Sequence, residues 1–106
     1  MNIDKIISRA KQIVSTQLSD DELKEIINDG FLVATRGLMP TDIRDIYIDD
    51  MLGYYLLSQI NLINGDFALY NNYSSLFNNA LTEFRMIASE VAPVYPDELQ
   101  YKNLLY

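Results

Sequence analysis

Acidic side chains are the densest set of chemically able groups in this chain. Asp42, Asp45 and Asp49 recur at steps of three and four, with Asp50 beside the last, so the first three share one face of a helix. Carboxylates at that spacing are hard oxygen donors of the kind that hold Mg²⁺. A second group, Asp20, Asp21, Glu22 and Glu25, stands at the start of another helical pattern. Helix starts and solvated helix faces collect acids for reasons unconnected with metal, because free N-terminal amides and the helix dipole favour negative charge. Neither group is accompanied by a phosphate-binding loop, and the order of Asp and Gly does not match an EF-hand. No metal and no cofactor is therefore assigned.

Other chemistries fail by residue type. The chain has no His and no Cys, which removes the commonest general base, the commonest zinc ligands, thiolate nucleophiles and any disulfide framework. A serine nucleophile would need a base in place of His, and no Lys stands in an evident position to serve. Its glycines, at positions 30, 37, 53 and 65, cannot write a phosphate loop or a dinucleotide fingerprint. No catalytic residue is assigned, and the expectation is that the protein is not an enzyme. Fifteen acidic residues against eight basic ones give a net charge of −7, which repels a phosphate backbone. The basic residues are scattered, and the three on the first helix, Lys5, Arg9 and Lys11, make a weak patch. Met1 to Asp4 lacks the basic start and apolar stretch of a signal peptide, and no apolar run approaches the roughly twenty residues of a membrane span. Action in the cytoplasm, or in a particle assembled there, is expected.

These residues must be positioned by helices. Ile3, Ile6, Ile7, Ala10, Ile13 and Val14 form one apolar stripe from about residue 3 to 16. Ser19 and Glu22 have the spacing of a capping box, and Leu23, Ile26, Ile27, Gly30, Val33 and Ala34 mark the buried face of the helix it opens, with Gly37 as the stop. Gly30 lies within that stripe, either permitting close approach of a neighbour or tolerated there at about 1 kcal/mol. Thr41 or Asp42 caps a third helix running to about Ile63. Ile43, Ile46, Tyr47, Met51, Tyr54 and Leu57 form its main stripe, widened by Leu52, Tyr55, Leu56 and Ile60. A helix apolar over so much of its circumference is central or covered by another chain. Asn64-Gly65 ends it and Asp66 caps a fourth, whose stripe is Tyr70, Tyr73, Phe77, Ala80, Leu81, Phe84, Ile87, Ala88 and Val91. The opposite face carries Asn71, Asn72, Ser74, Ser75, Asn78 and Asn79 and is low in charge for a solvated surface. The short connection makes the last two helices antiparallel neighbours.

The fold class expected is all-α, a small bundle of about four helices with an extended C-terminal tail. Residues 1–92 form the bundle domain and 93–106 the docking tail. Pro93 and Pro96 exclude a continuous helix there. The tail still carries Val94, Tyr95, Leu99, Tyr101, Leu104, Leu105 and Tyr106, a composition foreign to disordered segments, so it docks on a surface of its own or another chain. Eight tyrosines suit surfaces that a partner buries.

A capped acidic start, SDDELKEIINDG, then a helix with a YYL-type aromatic segment, then a short Gly/Asp loop opening another long helix, is similar to the head-to-tail connector proteins of tailed bacteriophages, the adaptor or head-completion family. The matching segments are Ser19 to Gly30, Asp50 to Leu62 and Asn64 to Arg85. The resemblance implies a structural virion protein at the head-tail interface, docked as a homo-oligomeric ring of about twelve copies on the portal protein and contacting the tail or neighbouring connector subunits. It also implies a C-terminal extension whose anchors here are Tyr95, Leu99, Tyr101, Leu104, Leu105 and Tyr106. DNA would pass through an acidic ring without specific binding, and no membrane is involved. The rival expectation is a small acidic helical regulator that sequesters a basic protein through its Tyr-rich third and fourth helices.

Overall fold

Local signals at each helix end account for where the elements begin and stop. The computed structural model of the chain describes residues 1–36 and 45–91, the side chains of 45, 46 and 88–91 excepted. It contains, among the described residues, four helices and no strand: α1 (Ile3–Ile13), α2 (Asp20–Thr35), α3 (Asp45–Asn64) and α4 (Phe67–Val91). The all-α expectation therefore holds.

Asn2 caps α1, its side chain accepting from the Lys5 amide at 3.1 Å, while its own amide donates to Asp49 of α3 at 3.1 Å. α1 stops at Ile13, three residues short of the expected end, because Val14 is extended at φ −139°, ψ 145°. Ser15 and Thr16 follow, residues whose hydroxyls compete for backbone groups, and the Thr16 hydroxyl accepts from the Leu18 amide. The bend lets Val14 and Leu18 pack against the core. Both bonds of the capping box open α2, Glu22 amide to Ser19 hydroxyl at 3.2 Å and Ser19 amide to Glu22 carboxylate at 2.9 Å. α2 closes at Arg36, which itself adopts the left-handed conformation at φ 53°. The expected stop, Gly37, and the expected α3 caps, Thr41 and Asp42, lie outside the described residues.

α3 is the central element. Ile48, Met51, Leu52, Leu56 and Ile60 are fully buried, packed by α1, α2 and, along most of its length, α4. The Ser58 hydroxyl donates to the Tyr55 carbonyl and the Asn61 amide group to the Leu57 carbonyl, so both buried polar side chains are satisfied within their own helix. α3 ends in a Schellman motif, in which the Asp66 amide donates to the Asn61 carbonyl and the Gly65 amide to the Leu62 carbonyl, with Gly65 at φ 82°. The Asp66 carboxylate then accepts from the Leu69 amide and caps α4. α4 buries Phe77 and Phe84 against α3.

Three apolar residues assigned to buried stripes lie open: Ile13 is 59% exposed, Val33 47% and Tyr47 39%. The buried face of α2 runs through Leu23, Ile27, Gly30 and Ala34, and Val33 is turned about 100° from Ala34, beyond the reach of α3. Ile13 ends α1 past its last buried residue, Ala10. The described residues span 47 × 27 × 17 Å, so the thin dimension exceeds the roughly 10–12 Å of a single helix with its side chains, as expected where three helices pack on α3.

Candidate interaction surface

Several of the acids that suggested a cation site serve other ends. Asp42 and the side chain of Asp45 lie outside the description, but Asp49 accepts from the Asn2 amide and Asp50 pairs with Arg9 at 3.5 Å. Both contacts clip α1 to α3. Asp20 takes a short bond from Lys11, whose ammonium holds that carboxyl below its ordinary range, and this clips α1 to α2. Among the described residues no three potential ligands converge on a metal site.

Tyrosines divide between core and surface. The Tyr55 ring is wedged between α2 and α4, over Gly30 on one side and at 5.0 Å between centroids from Phe77 on the other, the planes tilted by 58°. Burial raises its pKa above the ordinary 10.0, with the charge of Asp29 and of Tyr70 adding to it. Tyr54 and Tyr73 are half-buried against the same core. The tail anchors Tyr95, Leu99, Tyr101, Leu104, Leu105 and Tyr106 lie outside the described residues.

What remains open is chiefly α4. From Phe67 to Thr82 it carries no charged residue, a run of sixteen positions, or about 24 Å of helix, in a chain with net charge −7. α4 packs mainly on α3, and its outward side presents Asn71, Asn72, Ser75, Asn78 and Asn79 with Leu76, which is 41% exposed. Charge depletion is the compositional mark of an interface centre.

Exposed apolar residues gather at the two ends of this wall. Around the α3–α4 turn stand Leu62, Ile63, Phe67 and Leu69, Phe67 being 61% exposed. At the far end the Arg85 guanidinium donates to the Val33 carbonyl at 3.2 Å, across to the last turn of α2. Exposed at this end are Met86 on α4 and, separately, Leu32 and Val33 on α2. Sequence reasoning singled out neither end. The uncharged run was its one visible signal.

No family model, no curated protein and no solved structure matches the chain.

Proposed function

We propose that the chain is a non-enzymatic structural protomer of a ring-shaped assembly, a head-to-tail connector that joins a portal to a tail in a phage-type particle. The observation that carries this reading is the uncharged run of α4 with exposed apolar residues at both of its ends, Phe67 and Leu69 at one and Met86 at the other. A two-fold dimer needs one self-complementary patch. Two different apolar ends on one protomer suit heterologous contacts, which close into a ring when the rotation between neighbours permits. An uncharged wall lets copies of a strongly acidic chain meet without placing like charges opposite each other. The remaining acidic surface suits a wall past which DNA moves without being held.

Native mass spectrometry of the complexes that a tagged chain enters in its source background tests the proposal. A species of about a dozen copies, alone or on a larger ring, is the expected result. A stable one-to-one or two-to-two complex with a basic protein would overturn it and establish a sequestering regulator instead.

A further inference from the structure

A groove of about 170 Å³ lies between α1 and α3, floored by Gly53, Tyr54 and Leu57 and walled by Ala10 and Ile13. An apolar cavity of about 150 Å³ holds a benzene-sized group, so this one accepts a single ring or leucine side chain. Its floor has a gap in the middle of α3, since a Cβ built on Gly53 would meet no heavy atom of the described residues within 4 Å. Ile13 stands largely exposed at its edge, and the half-exposed Arg9–Asp50 pair makes a polar rim. This is the layout of a small anchor pocket, apolar at the centre and charged at the border.

The chain itself supplies a candidate occupant. The Tyr55–Phe77 contact sets the register of the antiparallel α3–α4 pair, which brings the last turns of α4 beside the first turns of α3. The Asp49–Asp50 end of the groove lies on those same first turns. Fifteen residues follow Val91, enough to span about 45–50 Å when extended, against a helix diameter of about 10 Å that has to be rounded. They include Leu99, Tyr101, Leu104, Leu105 and Tyr106, side chains of the size the groove accepts. A segment tethered this closely meets its site at an effective concentration in the millimolar range, ahead of any separate partner.

We propose that the α1–α3 groove is the seat of the chain's own C-terminal segment, residues 93–106, with one of its Tyr or Leu side chains filling the gap beside Gly53. The proposal does not rest on the connector reading, and it assigns to the chain's own groove the segment that the connector resemblance gives to a neighbouring subunit.

The chain has no cysteine, so a single Lys102→Cys carries one nitroxide label. In the full-length labelled monomer, the amide signals of Ala10, Ile13, Gly53 and Leu57 should broaden while those of Asn72 and Asn79 do not. A mixture of labelled unenriched chain with unlabelled ¹⁵N chain should show no broadening. Broadening that is absent, spread evenly, or present only in the mixture would overturn the proposal, the last outcome assigning the groove to a second copy's tail. Gly53→Phe, which fills the gap, should keep the helical circular dichroism and abolish the broadening; persistence of broadening in that variant would also overturn it.

Discussion

Two glycines inside helices of this protein should respond to the same substitution with opposite signs. Replacing a mid-helix Gly by Ala gains about 1 kcal/mol from helix propensity. At Gly53 no described residue opposes that gain, because none of them puts a heavy atom within 4 Å of a new methyl. At Gly30 the methyl would sit 2.6 Å from Cδ2, 2.9 Å from Cγ and 3.1 Å from Cε2 of Tyr55. Retreat of that ring is opposed by Phe77, with which it is in contact at 5.0 Å between centroids. Overpacking of this kind costs about 1–3 kcal/mol. Gly30→Ala should therefore be neutral to about 2 kcal/mol destabilising, and Gly53→Ala about 1 kcal/mol stabilising. The propensity gain cancels in the difference between the two variants, which leaves the steric penalty of about 1–3 kcal/mol as the quantity measured. Urea unfolding followed by circular dichroism would read it, as would melting temperatures, at about 4–8 °C per kcal/mol for a domain of this size. In a Tyr55→Leu background, Gly30→Ala should become less harmful by a coupling of at least about 0.5 kcal/mol. Equal stabilisation by Gly30→Ala and Gly53→Ala in the natural background would refute the close-approach account of Gly30.

Ser19→Ala should lower stability by about 1 kcal/mol in the same urea assay, since it removes the hydroxyl that receives the Glu22 amide, whereas Ser19→Gly should lower it by only a few tenths. Gly65→Ala should destabilise by about 1 kcal/mol, because the Schellman turn holds this residue at φ 82°. Alkaline unfolding should show Tyr55: its pKa is raised on folding, so the native state keeps a proton that the unfolded chain loses above 10.0. The unfolded state then binds fewer protons, and stability should fall as pH rises through and above that value, a slope that Tyr55→Phe should reduce. Phe67→Glu should leave urea unfolding within about 0.5 kcal/mol of the parent, because that side chain is 61% exposed, yet should deplete the oligomer seen by native mass spectrometry. Retention of the oligomer by that variant would remove the α3–α4 turn from the interface.

The helices themselves were legible wherever the signal is local. Ser19 and Glu22 lie three residues apart and satisfy each other's amides in whatever tertiary context they find, and Asn64-Gly65-Asp66 combines a left-handed stop with a new cap within one turn of chain. Periodicity likewise marked Leu23, Ile27, Met51, Leu57, Phe77 and Phe84 as buried, because those positions belong to their stripes, whereas Leu52, Leu56 and Ile60, read as a widening of the α3 stripe, prove to be fully buried. The margins of the stripes were not legible. Whether Ile13, Val33 or Tyr47 is covered depends on where a neighbouring helix ends, which no local pattern encodes.

Composition and spacing alone determined an acidic, His-free and Cys-free all-α chain with capped helices and no ready-made catalytic or metal constellation. Tertiary structure decided the rest. It made α3 the central helix, since three elements pack on it, and it turned Gly30 from a tolerated flaw into the seat of the Tyr55 ring. It also turned the acids Asp20, Asp49 and Asp50 into clips between helices, and left α4 mainly on one neighbour with its uncharged side outward. Helix formation depends on residues within one turn, whereas burial and exposure depend on which surfaces distant segments cover, and only the packed chain specifies those.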